Sequence, residues 1–205
     1  MKKIDILREE QTRTDIIATA QKLFQKYGID KTTMDDIARE VGKGKSTLYY
    51  YYTSKEEVFY AVVNKEKDEV MKSIKKTISN LESPSEQLKT FFLSHFNELK
   101  HKINLYSVIL QGNVKKHIDL FGRIQKENIS SEIEMIKEIL LKGIKNGEFK
   151  NIKEKDCEDI AIICVTVIQG LDSSIIFFKD EAQKELRIET ATDIFIKGLQ
   201  YRRQK

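Results

Sequence analysis

Thr33–Lys55 reads TMDDIAREVGKGKSTLYYYYTSK, and this stretch decides the fold. Thr33 supplies a hydroxyl and Asp36, three residues on, a carboxylate; that is capping-box spacing and predicts a short helix from Thr33. Ile37, Ala38 and Val41 place apolar groups on one side at a 3.6-residue period. Gly42 is the residue type that accepts left-handed backbone after a helix. A second short helix is predicted from Lys45 to Tyr52, carrying Lys45, Ser46, Thr47 and four consecutive tyrosines. Ser54 with Glu57 repeats the capping-box spacing and opens a much longer helix. Helix, three- or four-residue turn, helix is the shape that lays its second helix in a DNA major groove.

Composition agrees with a helical chain. The 205 residues contain one Pro and nine Gly, too few breakers for a turn-rich sheet protein. The net charge of +4 is mild and does not by itself imply nucleic acid, but its distribution does more. Residues 1–55 hold eleven Lys and Arg against eight Asp and Glu, so +3 of the +4 lies in the first quarter. Beside a helix-turn-helix pattern, that excess fits a phosphate-facing surface.

Working outward, residues 1–11 read as a mobile arm, followed by a helix over 12–27. Ile16, Ala20, Leu23, Phe24 and Tyr27 form its apolar stripe, and Gly28 ends it. On the other side a helix is predicted over 55–81, with Val58, Phe59, Val62 and Val63, then Val70, Ile74 and Ile78. Pro84 fits the first turn of the next helix, 84–101, with Ser83 as its cap. Shorter helical pieces follow over 105–110 and 114–122. A long helix over 123–146 ends at Gly147, and two more cover 157–178 and 184–200. The helix over 157–178 is apolar most of the way round, which predicts burial on most sides.

Thr32, Thr33, Ile37, Ala38, Gly42, Thr47, Leu48, Tyr49, Tyr51, Tyr52, Ser54, Lys55, Glu56 and Val58 stand in register with a long pattern. Ile17, Ala20, Leu23, Phe24, Tyr27 and Gly28 continue it upstream. Over the first quarter to third of its length the chain resembles the TetR family of transcriptional regulators. The resemblance implies an all-α fold. Residues 1–54 are expected as a three-helix DNA-binding head with the helix-turn-helix. Residues 55–205 are expected as a helical body for effector binding and dimerisation.

The expected DNA-binding residues are Lys43, Lys45, Ser46, Thr47, Tyr49, Tyr50, Tyr51 and Lys55. Lys45 can reach guanine O6/N7 or pair with a phosphate, and Ser46 and Thr47 are short donors for either. The resemblance implies that Tyr49, Tyr50 and Tyr51 offer their phenols to DNA while Tyr52 takes the place of a core phenylalanine. It assigns Lys55 to a phosphate. Arg13 and Thr14 are weaker candidates, and read more readily as ordinary surface residues. At the turn the chain departs from the pattern: Lys43 and Gly44 stand where valine and serine are usual, and Ser46 where glycine is.

By analogy, the body is expected to bind a small apolar or aromatic effector. Phe92, His95, Phe96, Tyr106, Leu110, Phe121, Asn128 and Phe178 are the candidate ligand-binding residues, and each reads equally well as packed core. The partners expected are double-stranded DNA with a two-fold symmetric operator and a second copy, paired through the last two helices. No cofactor or metal is expected, because the three histidines are scattered and Cys157 and Cys164 lie two helical turns apart, too far to bridge. With no nucleophile elbow, phosphate loop or paired-carboxylate motif, no enzyme is expected. Lack of a leader-like segment or long apolar span predicts a cytoplasmic protein without a membrane anchor. The expected role is a ligand-released repressor. The alternatives are a ligand-independent activator and a helical interaction module of the same fold that reads no DNA.

Overall fold

The structure, a computed structural model, describes residues 2–101, 118–174 and 181–201. Within these, the side chains at 2–5, 96, 98–101, 118, 121, 125–128, 171–174 and 181–185 are left undescribed. All regular structure among the described residues is helical: α1 (Lys2–Tyr27), α2 (Met34–Val41), α3 (Lys45–Tyr51), α4 (Lys55–Ser79), α5 (Pro84–His101), α6 (Ile118–Lys145), a 3₁₀ turn (Glu154–Asp156), α7 (Cys157–Ser174) and α8 (Glu181–Gln200). The described residues fall into two compact units. One holds residues 2–68 and 118–124, the other residues 69–101, 125–174 and 181–201.

In the first unit, α1 starts at Lys2 rather than after a mobile arm. The segment KKIDILREEQT carries neither Gly nor Pro and is rich in straight-chain helix formers, so nothing within it breaks the helix. One turn apart, Gln11 Nε2 donates to Asp15 Oδ1 at 2.9 Å and Thr12 Oγ1 to the Arg8 carbonyl at 2.8 Å. Ile16, Ala20 and Phe24 bury the inner stripe of α1 against Ile37, Ala38, Leu48, Val58, Phe59, Val62 and Val63. Phe24 and Phe59 meet edge to face, their centroids 5.3 Å apart. Ile124, from the first turns of α6, belongs to the same core. Beside it Arg123 lies over the Tyr60 ring, 3.9 Å from its centroid, and donates to Glu57 Oε1 at 2.6 Å.

That engagement of Glu57 alters the second expected capping box. Ser54 Oγ accepts from Glu57 N at 3.2 Å, while the Glu57 carboxylate is held by Arg123. The expected break at residue 122 is also absent: α6 runs unbroken from Ile118. One glycine inside a helix costs about 1 kcal/mol, which the flanking residues override here.

In the second unit, Val70, Ile74, Ile78, Leu88, Phe91, Phe92, Ile136, Leu140, Phe149, Cys157, Cys164, Ile196 and Leu199 form the core. Both cysteines are free thiols inside it, and burial pushes Cys164 up to about 12. Polar groups there close helix ends. Gln87 Nε2 donates to the Ile78 and Leu81 carbonyls at the end of α4, at 3.1 and 2.6 Å. Glu148 Oε2 accepts from Ser85 N at 3.0 Å, Ser85 Oγ at 2.8 Å and Ser83 Oγ at 2.9 Å, at the start of α5. Within this chain α7 buries only one side; Ile162, Ile163 and Val167 are exposed on the other. Among the described residues no helix is long and apolar enough to cross a membrane.

Gly147, at φ 73°, turns the chain after α6 and sends Phe149 back over Gly143. A Cβ at Gly143 would collide with the Phe149 ring. Gly143→Ala is therefore expected to cost about 1–3 kcal/mol in urea unfolding. Adding Phe149→Leu should cost less than the two single losses summed. Strictly additive losses would show that ring and methyl do not compete.

Candidate nucleic-acid interface

The interface is built from α2, the turn at Gly42, α3 and the start of α4. Thr33 and Asp36 make the full reciprocal box: Asp36 N donates to Thr33 Oγ1 at 3.1 Å, and Thr33 N donates to Asp36 Oδ2 at 3.0 Å. The Thr33 hydroxyl also donates to Oδ2 at 2.6 Å. Hydrogen bonds from the Thr33 side chain and then its backbone hold the Asp36 carboxyl below its ordinary range.

At the other end of α2, Gly42 adopts φ 70°, ψ 33°. Gly42 N donates to the Arg39 carbonyl at 3.2 Å and Lys43 N to the Ala38 carbonyl at 3.0 Å, the paired bonds of a Schellman turn. A Cβ at Gly42 would meet nothing within 4 Å, so dihedral angle and not space calls for glycine there. Gly44 then precedes α3 with no side-chain cap.

The seven residues of α3 divide sharply. Leu48 is fully buried and anchors the helix to the head core. Lys43, Lys45 and Ser46 are exposed, and so are Tyr49 (44%) and Tyr50 (71%); Thr47 and Lys55 are half-buried. Tyr51 and Tyr52 are half-buried against the head core, Tyr52 at the end of α3. The Arg13 guanidinium lies 5.2 Å from the Tyr51 centroid and 5.8 Å from that of Tyr52. Burial raises the Tyr52 phenol above its ordinary value, with Arg13 opposing. The structure thus gathers all eight expected DNA-binding residues into one stretch of the first unit. Thr14 spends its hydroxyl on the Glu10 carbonyl at 2.9 Å.

Two acidic residues at this surface were not anticipated. Asp35 holds the Lys45 ammonium, with Nζ 2.8 Å from Oδ1 and 3.0 Å from Oδ2. Glu9 Oε1 accepts from the Tyr50 phenol at 3.5 Å. Hydrogen bonding to Asp35, then its charge, raises the Lys45 pKa. Ten residues of chain and a turn separate Asp35 from Lys45, so no periodicity pairs them. Glu9 lies in the segment expected to be a mobile arm.

Of the candidate ligand residues, two have described side chains. Phe92 and His95 are buried on α5, Phe92 with its ring 5.9 Å from Phe195 and His95 with Nε2 3.6 Å from Glu132 Oε1. The side chains of Phe96, Phe121 and Asn128, and the whole of Tyr106, Leu110 and Phe178, lie outside the described residues. A groove of about 230 Å³ between α5 and α8 is lined by Ser85, Glu86, Lys89, Asp193, Ile196, Lys197 and Gln200, none of them among the candidates. Lys89 and Asp193 close to 2.7 Å across it. No group of three or more metal-binding side chains occurs among the described residues.

A capped helix, a glycine turn and a short helix anchored by one leucine, its remaining faces polar and aromatic, define a helix-turn-helix DNA-binding head. Residues 16–62 match the family model for bacterial regulatory proteins of the tetR family. Among known proteins, the chain is 27% identical over 140 residues to the HTH-type transcriptional repressor KstR2 of Mycolicibacterium smegmatis, covering 67% of each. A transcriptional regulator from Cytophaga hutchinsonii superposes with a TM-score of 0.71 at 27% identity, covering 91% of this chain and 97% of that one. FadR of Bacillus subtilis, solved in complex with stearoyl-CoA, superposes with a TM-score of 0.68 at 18% identity, covering 90% and 98%. Residues 16–62 thus carry the helix-turn-helix domain of the tetR family of bacterial regulatory proteins.

Thr33→Ala is expected to cost about 1 kcal/mol of head stability in urea unfolding near neutral pH. The pH dependence has a definite sign. With its folded-state pKa depressed, Asp36 stabilises fully above its unfolded pKa and loses that contribution as pH falls through the folded one. The stability difference between wild type and variant should therefore shrink toward acid. A constant difference down to the acid transition would separate the cap from Asp36.

Proposed function

We propose that this chain is a homodimeric transcriptional repressor that reads a two-fold symmetric operator with its two α3 helices. In this reading an apolar or acyl-bearing small molecule held in the body releases the DNA. The observation that carries it is the surface of α3, where Lys45, Ser46, Tyr49 and Tyr50 stand exposed on a helix whose other side is fixed by Leu48. Lys43, Thr47, Tyr51 and Lys55 complete the proposed contact surface. Functionally, residues 1–54 are the DNA-binding part and residues 55–205 the effector and dimerisation part.

Dimerisation is supported by the outer faces of α7 and α8. Ile162 (44%), Ile163 (53%), Val167 (43%), Leu186 (64%) and Ile194 (67%) are exposed there. Exposed aliphatic side chains in this number support an interaction surface, and a helix as short as α3 buries too little area alone for tight operator binding. Repression is supported by the likeness to KstR2, and an acyl-bearing effector by the likeness to FadR. Ligand-linked release requires an element whose state both sites bias. α4 and α6 each contribute residues to both compact units. Activation remains the second reading, because the HTH-type transcriptional activator FasR of Mycolicibacterium smegmatis is 22% identical over 107 residues.

Selection of genomic fragments with the purified chain, followed by footprinting, yields the operator and its half-site spacing. On that duplex, Lys45→Ala and Lys55→Ala are each expected to weaken binding about tenfold or more. Lys55→Ala, which removes a phosphate link, should also flatten the dependence of log K on log salt by about one. Unchanged affinity and slope in both variants would favour the interaction module that reads no DNA. Separately, Ile163→Asp combined with Ile194→Asp should give a folded monomer by analytical ultracentrifugation that has lost operator binding. A variant that stays dimeric would place the interface elsewhere.

A further inference from the structure

We propose that Asp35 is the residue that gives Lys45 its sequence specificity, by holding the ammonium so that it can serve a base edge but not a phosphate. The inference rests on the DNA-binding role of α3 proposed above and deepens it.

The pair is not explained by the stability of α2. That helix is capped by Asp36, whose carboxylate serves Thr33 and Arg39, so Asp35 is left over from the cap. Nor is the pair buried: both side chains are 58% exposed, and ion pairs in that setting contribute little to folding. What it does is local to the start of α3. Lys45 is the first residue of that helix, Gly44 before it offers no side-chain cap, and the first turn contains no acid. A cation there opposes the helix dipole. Asp35, reaching across from the first turn of α2, supplies the missing negative charge.

On DNA the same geometry discriminates. Whatever Lys45 touches, the Asp35 carboxylate is carried one contact further away. If Lys45 meets a phosphate, two contacts of about 3 Å each bring carboxylate and phosphate to within roughly 6 Å, a like-charge approach that lowers affinity about threefold or more. If Lys45 meets guanine O6 and N7, its partner is uncharged and that repulsion is absent. Phosphates are the same in every sequence and bases are not. Asp35 therefore penalises the sequence-blind contact of Lys45 and spares the sequence-reading one. Without it, Lys45 is free to add a phosphate link on any duplex.

The test compares wild type, Asp35→Asn, Lys45→Ala, the double variant, and Glu40→Gln, which removes one exposed carboxylate from α2 without touching Lys45. Each is titrated with the duplex recovered by genomic selection and with a scrambled duplex of the same length, over a salt series. Thermal unfolding checks that all remain folded. Asp35→Asn is expected to tighten the scrambled duplex several-fold more than the operator, so that discrimination falls roughly fivefold to tenfold. It should also steepen the salt slope on the scrambled duplex by about one. Glu40→Gln should move both duplexes together. In the Lys45→Ala background, Asp35→Asn should leave discrimination unchanged.

The proposal is overturned if Asp35→Asn discriminates like wild type, if its effect equals that of Glu40→Gln, or if its effect survives in the Lys45→Ala background. Failure of the wild type to distinguish the two duplexes is a different result and overturns the DNA-reading role of α3 itself.

Discussion

A seven-residue helix cannot hold itself together in water, because nucleation costs more than so few hydrogen bonds return. The head therefore depends on the burial of Leu48, which seats α3 on the core formed by Ile37, Ala38, Phe59 and their neighbours. Everything around α3 serves that seating. The Thr33–Asp36 box and the Schellman turn at Gly42 fix both ends of α2. Once Leu48 points inward, the 100° steps of the helix turn Ser46, Tyr49 and Tyr50 outward, and Lys45 is exposed in the first turn. The same constraint draws Tyr51 and Tyr52 toward the core, where Arg13 lies against both rings.

Charge on this surface is organised in pairs more than in bulk. An excess of only three positive charges over residues 1–55 makes a modest general field. Yet Lys45 is paired with Asp35, Arg39 with Asp36, and Tyr50 donates to Glu9. An acid beside these three donors lowers their gain from meeting any polyanion. It leaves contacts that depend on geometry, such as a base edge in the groove, as the larger share of what remains. A weakly basic head with paired donors is thus a reasonable build for a protein that must ignore most of the DNA it encounters.

How much was legible in the chain follows from the range of the interactions. Thr33, Asp36 and Gly42 act within five residues, and their capping roles could be read directly from spacing. The eight residues of the proposed interface were named from the same stretch together with the family resemblance, which supplied the three tyrosines and Lys55. Interactions between segments were not legible. Asp35 meets Lys45 only because the turn folds two helix starts together, and Glu57 answers to Arg123, sixty-six residues away, instead of to its own cap. The helix boundaries that moved did so for local reasons weighed wrongly. Lys2–Gln11 has nothing to break a helix, and Gly122 alone is too weak a breaker to split α6. In the body, an aromatic residue such as Phe92 looks the same in sequence whether it lines a cavity or fills a core.

The body also shows why its ligand chemistry is harder to inherit than its shape. At 27% and 18% identity, the Cytophaga regulator and FadR keep the fold over nine-tenths or more of the chain. Apolar periodicity and helix ends are enough to specify that fold, and many side-chain sets satisfy both. Buried polar residues are the part that periodicity does not demand, so each requires its own reason. Gln87 and Glu148 have one, since they close the end of α4 and the start of α5. His95 and Glu132 face one another across the interior of the second unit instead, beside the Phe91 ring. A pair that stands apart from the helix ends is where members of one fold can differ in chemistry without differing in architecture.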